Sequence, residues 1–159
     1  MKILYFTSTG NNLYIAKQLG GELLSIPQLI KENIYDFEDD SIGIIFPVFY
    51  VNAPKIVREF IEKANFKTDY FFLIASYGSD GDQNAFKILK KTFKKKGLEV
   101  NYTNSVLMVD NYLLMFDMKE EKEIKDDSEI DNQIKVIKSD LSQERSSTLR
   151  KDPFLTFHS

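Results

Sequence analysis

Residues 3–12 read ILYFTSTGNN and decide the fold, because a short β-rich run passes directly into a loop of hydroxyl, glycine and amide residues. Residues 3–6 have the composition of a strand. Apolar residues at helical spacing follow the loop over residues 13–19, and this pattern stops at Gly20. The stretch therefore predicts a strand, a polar loop and a helix in immediate succession.

The same alternation continues along the chain. Residues 41–49 and 70–77 are almost continuously apolar, which is typical of strands buried on both faces. The predicted strands after the first are residues 22–26, 41–49, 70–77 and 105–109. The predicted helices after the first are residues 28–37, a helix that Pro54 opens, residues 83–96 and residues 128–143. The strongly charged residues 117–127 are predicted to form a solvated loop.

Five strands interleaved with helices predict an α/β fold, a three-layer sandwich around a five-stranded parallel sheet. At 159 residues the chain fits one domain. We expect this domain to cover residues 1–147 and residues 148–159 to be a C-terminal tail.

The composition restricts the chemistry. The chain has no Cys and a single His, His158. Disulfides, Cys-ligated iron–sulfur clusters and thiolate catalysis are excluded, and one His is too few for a His-based zinc site. A redox function would need a cofactor that neither Cys nor His holds, and a flavin meets that condition because hydrogen bonds and stacking can hold it.

Charge and hydropathy restrict the location and the partners. No apolar run approaches the ~18–20 residues of a membrane helix, and the opening residues lack a signal-peptide pattern. The net charge of −3 argues against general nucleic-acid binding. We therefore predict a cytoplasmic protein, a monomer with neither nucleic acid nor a membrane as partner.

The loop after the first strand is a candidate phosphate site. Ligands of open parallel sheets bind beyond the carboxyl ends of the strands, where the strand order reverses. Backbone N–H groups and hydroxyls at the start of a helix can surround one anion, and a loop without Lys or Arg favours a lone phosphate ester over a polyphosphate. Helix capping is the alternative explanation. The candidate residues are Thr7, Ser8, Thr9, Gly10, Asn11 and Asn12.

The loops after the third and fourth predicted strands have a composition that suits a planar ring. In the second loop aromatic side chains can cover one ring face, although Phe46 and Phe49 can equally complete the core. In the third loop glycines let the backbone approach a heterocycle, although an ordinary glycine turn has the same pattern. The candidates are Pro47, Phe49, Tyr50, Val51 and Asn52 in the second loop and Ser76, Tyr77, Gly78, Ser79 and Gly81 in the third.

These three loops resemble those of the flavodoxin family. ILYFTSTGNN is similar to the flavodoxin phosphate loop, and ASYGSDGDQNA is similar to the loop after the fourth strand. IIFPVFYVNAPKIVREFIEKA and VLMVDNYLL look closer to the flavodoxin-like domain of flavodoxin–ferredoxin fusion proteins of anaerobic bacteria. The resemblance covers nearly the whole chain, and it implies the strand order 2-1-3-4-5 with FMN at the switch point.

The resemblance also implies roles for residues. Residues 7–12 would bind the FMN phosphate, and residues 47–52 and 76–81 would bracket the isoalloxazine. The Val51-Asn52 peptide would accept a hydrogen bond from reduced flavin N5, and Asn111 would approach the same pocket. The chain departs from the family in lacking Trp and in having Ser79 where many flavodoxins stack an aromatic ring.

Three redox functions follow from the resemblance, with a fourth outside redox chemistry. The leading one is an electron carrier without catalytic side chains, which passes single electrons between a reductase and an acceptor protein of the ferredoxin type or another type. The alternatives are an FMN-dependent NAD(P)H or quinone reductase and the flavoprotein partner of ribonucleotide reductase maturation. The last is an interaction module that has lost FMN, against which the intact first loop argues.

Six lysines between residues 87 and 96 form a ridge on one predicted helix. We interpret the ridge as a solvated helix face, with docking of an acidic partner as the alternative. The aromatic residues of the tail can pack on the domain or on a neighbour.

Overall fold

The computed structural model describes residues 1–7, 10–49, 52–77, 83–108 and 120–146. The strands within these ranges are β1 (Lys2–Tyr5), β2 (Glu22–Ser25), β3 (Asp36–Glu38), β4 (Ser41–Pro47), β5 (Asn65–Lys67), β6 (Tyr70–Tyr77) and β7 (Tyr102–Leu107). The helices are α1 (Asn11–Leu19), α2 (Ile26–Lys31), α3 (Lys55–Lys63), α4 (Gln83–Lys95) and α5 (Glu120–Ser142).

Five strands form one parallel sheet in the order β2-β1-β4-β6-β7. The predicted five-stranded parallel α/β sheet is confirmed. The predicted order 2-1-3-4-5 numbers only the five strands of this sheet. The observed numbers differ because the chain also contains β3 and β5, which form a separate small sheet. The chain runs outward from β1 to β2 and then returns to the other side of β1 as β4, so the strand order reverses between β1 and β4.

Helices cover both faces of this sheet, which explains why β4 and β6 read as continuous apolar runs. Helices α2, α3 and α4 pack on one face through residues such as Leu29, Phe60 and Phe93. Helices α1 and α5 pack on the other face through residues such as Ile15 and Ile134. The described residues thus form the predicted three layers.

The small sheet of β3 and β5 corrects the prediction of a helix over residues 28–37. Helix α2 occupies Ile26–Lys31, and Asn33 then has a φ of +59°, which ends the helix. Phe37 of β3 stacks on Phe66 of β5 with ring centroids 5.7 Å apart. Three-residue strands carry too short a pattern for the period-two signal to appear.

Helix α5 is longer than predicted. It begins at Glu120, so most of the segment predicted as a loop over residues 117–127 is helical. The segment has no apolar stripe, but Glu and Lys are good helix formers and it continues directly into the part that packs on the sheet. The last strand also differs, since β7 is Tyr102–Leu107 where residues 105–109 were predicted.

None of the helices within the described ranges combines the length and the apolar character needed to cross a bilayer.

Candidate functional site

The carboxyl ends of β1, β4 and β6 lie side by side and bring the three candidate loops together. The Phe6 N–H donates to the Ile45 carbonyl at 3.0 Å, which joins the first loop to β4. The Val48 N–H donates to the Ser76 carbonyl at 2.9 Å, which joins the second loop to the third. The first and second loops therefore flank the position at which the strand order reverses.

Thr7 organises the turn between β1 and α1. Its Oγ1 accepts a hydrogen bond from the Gly10 N–H at 2.8 Å and another from the Asn12 N–H at 3.3 Å. Two N–H donors on one hydroxyl oxygen leave the hydroxyl hydrogen free to point at a further acceptor. Thr7 thus closes the turn and also presents a donor of its own at the positive end of α1.

Gly10 precedes α1 with a φ of +90°. A side chain at this φ is strained whatever space surrounds it, so the turn requires glycine. A Cβ placed on Gly10 would meet no atom of the described chain within 4 Å. Gly10 has no side chain of its own to cap α1, and open space beside the N-terminus of a helix suits an anion.

Asn12 is 1% exposed and fixes the end of β1. Its Nδ2 donates to the Phe6 carbonyl at 2.8 Å, whereas its Oδ1 has no hydrogen-bond partner among the described residues. An orphaned buried acceptor costs about 1–3 kcal/mol unless a donor reaches it. The side chain of Asn12 therefore positions the end of β1 and has one acceptor without a described partner. The Phe6 carbonyl is also part of the site, and the apolar sequence around Phe6 did not indicate this.

The second loop begins with a tight reversal. The Phe49 N–H donates to the Asn52 carbonyl at 2.7 Å, and the Asn52 N–H donates to the Phe49 carbonyl at 3.1 Å. The Asn52 side chain accepts from the Ala53 N–H at 2.8 Å, which holds the chain on its way into α3. Phe49 is 45% exposed, so it does not complete the core, whereas Phe46 does.

The third loop begins at the end of β6. Pro47 pairs with Ser76 across the sheet, and Ser76 is 6% exposed. The Tyr77 carbonyl accepts from the Met108 N–H at 2.8 Å, so the ends of β6 and β7 are also joined. Tyr77, the last residue of β6, is half-buried.

The structure brings together nine of the predicted site residues at this edge: Thr7, Gly10, Asn11, Asn12, Pro47, Phe49, Asn52, Ser76 and Tyr77. The other predicted residues lie outside the described part of the chain, and their contacts stay predictions. They are Ser8, Thr9, Tyr50, Val51, Gly78, Ser79, Gly81 and Asn111.

Comparison with known proteins gives a likeness of fold. Neither a family model nor a curated protein sequence matches the chain. A candidate flavoprotein from Bacteroides uniformis is similar with a TM-score of 0.52 and 18% identity, over 70% of this chain and 92% of its own. One from Bacteroides eggerthii has a TM-score of 0.50 and 21% identity, over 72% and 92% of the two chains.

A third similar structure is the two-electron reduced flavodoxin of Megasphaera elsdenii, with a TM-score of 0.50 and 18% identity over 70% of this chain and 88% of that one. These similarities agree with the sheet order and with the helices on both faces. The chain therefore has the flavodoxin-like α/β fold.

Proposed function

We propose that this protein binds FMN at the carboxyl edge of its sheet and carries single electrons between a reductase and an acceptor protein. The observation that carries the proposal is the turn built on Thr7. A hydroxyl with a free donor, an open glycine position and the positive end of a helix converge on one point, and no cation is among the described residues of that turn. Such a set of dipoles suits one phosphate ester.

The orphaned Oδ1 of Asn12 sharpens the fit to the cofactor. A fully ionised phosphate offers only acceptors, so it does not satisfy this oxygen. A sugar-alcohol hydroxyl next to the phosphate offers a donor, as does a hydroxyl of the loop itself. FMN carries both groups in sequence along its ribityl phosphate, and Thr7 and Asn12 would receive them together.

The exposed ring of Phe49 and the half-buried ring of Tyr77 would contact the isoalloxazine. When bound, FMN supplies the ability to accept and release electrons one at a time. Among the described site residues none is Asp, Glu, His or Lys. An electron carrier needs no side chain that acts as a general acid or base, so the composition of these described residues suits that role.

The similar structures support the proposal through the fold, since one of them is a flavodoxin. The likeness to the flavodoxin-like domain of fusion proteins stays a proposal based on the sequence. The cytoplasm is likewise proposed as the location, and redox proteins are proposed as the partners.

The test is a parallel titration of the purified apoprotein with FMN and with riboflavin, in which quenching of the flavin fluorescence measures binding. Because a hydrogen bond to a charged group contributes about 1.5–3 kcal/mol, we expect FMN to bind about 100-fold more tightly than riboflavin. Equal affinities would contradict the phosphate site. Replacing Thr7 with Val keeps the side-chain shape but removes the hydroxyl, both as a donor and as the acceptor that closes the turn, and it should reduce the preference for FMN about tenfold.

A second experiment separates the carrier from the enzyme. The FMN-loaded protein is reduced chemically and mixed with cytochrome c, and its turnover of NADPH with a quinone is measured separately. We expect rapid stoichiometric electron transfer and no sustained turnover. Sustained NADPH–quinone turnover would instead identify a reductase.

A further inference from the structure

Helix α4 carries five lysines and no acidic residue along its 13 residues. The spacing of three and four residues places these lysines on one side of the helix, opposite the buried side formed by Ala85, Leu89 and Phe93. Four of them are exposed and Lys90 is half-exposed. We call this the α4 lysine face: Lys87, Lys90, Lys91, Lys94 and Lys95.

Lys96, which follows the helix, does not belong to this face. Its Nζ donates to the Glu62 carbonyl at 2.7 Å and to the Ala64 carbonyl at 2.9 Å, at the C-terminal end of α3. Lys96 thus stabilises the negative end of a neighbouring helix. The predicted ridge of six lysines therefore separates into one structural lysine and five others.

The five lysines of the face have no such partner. Within the described parts of the chain none of them takes part in a salt bridge or a side-chain hydrogen bond. Lysines four residues apart, such as Lys87 and Lys91, repel each other by a few tenths of a kcal/mol. Lys94 and Lys95 gain from the negative end of α4, whereas Lys91 is in the middle of the helix and gains nothing comparable.

A cavity of about 460 Å³ adjoins the face where α4 ends. Lys90 and Lys94 line it together with Leu98 and Val100, and Glu99 is the one acidic group among its described lining residues. Val100 is 6% exposed and Leu98 is partly buried, so the cavity is backed by the core of the domain. Cationic side chains thus border a recess that also has apolar walls.

We propose that the α4 lysine face and this cavity bind an acidic protein segment that inserts an apolar side chain into the cavity. Paired burial of an apolar anchor beside complementary charges is the usual composition of a protein interface. The site is independent of the flavin. The cavity adjoins Gly97 and Leu98 beyond the C-terminal end of α4, so it lies at the opposite end of this helix from Gln83 and the third loop.

A nucleic acid and an anionic membrane fit the face less well. The whole chain has a net charge of −3 and a pI near 5.3, whereas nucleic-acid-binding domains are usually basic overall. The apolar side of α4 is buried against the sheet, so it is not available to enter a lipid surface. A protein segment needs only a local charge match.

The test is fluorescence anisotropy with a labelled peptide of glutamates and aspartates around a Leu-Phe pair, measured on the apoprotein at several salt concentrations. We expect binding that weakens steeply with salt, and weaker binding when serines replace the Leu-Phe pair. Replacing both Lys90 and Lys94 with Glu should weaken binding about tenfold or more. The matched control replaces the exposed Lys135 and Lys138 of α5, on the other face of the sheet, with Glu and should bind normally.

The variant Lys91→Glu distinguishes a docking site from a helix face that is only solvated. A glutamate at this position gains attractive pairs with Lys87 and Lys95, so the thermal midpoint should rise while peptide binding weakens. The proposal is overturned if the peptide does not bind at about 1 mM, which is the weak end of useful affinities. It would also be overturned if the α5 control lost as much peptide affinity as the Lys90 and Lys94 variant. Tighter binding of a DNA oligonucleotide or of phosphatidylserine vesicles, or self-association through this face, would overturn it as well.

Discussion

The two ends of the parallel sheet treat their polar groups in opposite ways. At the amino end, the hydroxyls of buried tyrosines have hydrogen-bond partners. Tyr102 donates to Asp140 at 2.6 Å, and Tyr70 donates to the Arg145 carbonyl at 2.6 Å. At the carboxyl end, the Oδ1 of buried Asn12 has no described partner, and the ring of Phe49 is exposed.

The difference supports the proposal that the amino end serves stability and the carboxyl end serves binding. Buried polar groups in folded proteins are almost always paired, so the orphaned Oδ1 of Asn12 fits a donor that a ligand or a loop hydroxyl supplies. The amino end fastens α5 and the chain start to the sheet. The carboxyl end has a hydroxyl donor on Thr7 and an amide oxygen on Asn12 that have no described partner. Changes at the amino end should therefore lower stability without altering flavin affinity, and changes at the carboxyl end should alter flavin affinity.

The largest expected effect is that of Asp140→Ala at the amino end. The substitution leaves the buried Tyr102 hydroxyl without its acceptor and removes the ion pair of Asp140 with Arg145. We expect the free energy of unfolding, from urea titration, to fall by about 3 kcal/mol. Lys138→Ala, two residues earlier on the exposed side of α5, should change it by less than about 0.5 kcal/mol. A loss of FMN affinity in folded Asp140→Ala protein would break the division between the two ends.

The next effect compares two glycines at opposite ends of the sheet. Gly10 has a φ of +90° and Gly97 a φ of +76°, and neither would meet a described atom through a Cβ. Replacing either with Ala should lower the free energy of unfolding by about 1–2 kcal/mol, because both keep a left-handed backbone. Only Gly10→Ala should weaken FMN binding, by about tenfold, in a titration of the folded variants. Equal FMN affinities for the two variants would remove Gly10 from the binding site.

The carboxyl end was easier to predict from the sequence than the amino end. A run of Thr, Ser, Gly and Asn between a strand and a helix has a local signature, and the loops that follow buried strands in a parallel sheet meet at one edge. The bonds of Tyr70 and Tyr102 connect residues far apart in the chain, and no local pattern announces them.

The strength of the local signal also explains which elements of the fold were predicted wrongly. β4 and β6 were found because long apolar runs give a strong signal. β3 and β5 were missed because three residues give almost none, and their pairing depends on contact across the chain. The start of α5 was missed because its first turns lack an apolar stripe.

A smaller effect is expected for Tyr70→Phe at the amino end. Burial, together with Asp140 and Glu144, raises the pKa of Tyr70 to about 12 from 10.0. The raised pKa contributes stability that is fully present at a pH below the ordinary pKa of 10.0 and is lost as the pH rises through the pKa of the folded protein. The original protein should therefore exceed the variant by about 1 kcal/mol at neutral pH, from the bond to Arg145. This difference should shrink as pH rises from 10.0 towards 12 in urea titrations. A difference that grows over that range would contradict the assignment.

The smallest effect concerns Asp39, also at the amino end. Slight burial raises its pKa, but the Asp40 N–H, the N-terminal ammonium and Lys2 together lower it below its usual value of 3.8. A lowered pKa contributes stability above that value, which is lost as pH falls through the folded pKa. Asp39→Asn should therefore be slightly less stable than the original protein at neutral pH, and the two should converge below pH 3.8. Convergence on the alkaline side instead would contradict this ion-pair role.

The most direct test of the binding edge is a ¹⁵N NMR titration of the apoprotein with FMN and, separately, with riboflavin. We expect FMN to shift the backbone amides of Gly10, Asn11 and Asn12 most strongly and riboflavin to leave these three nearly unchanged. Tyr70 and Tyr102 should shift little with either ligand. Equal shifts at the two ends of the sheet, or no shift at Gly10 with FMN, would rule out a phosphate site at the carboxyl edge.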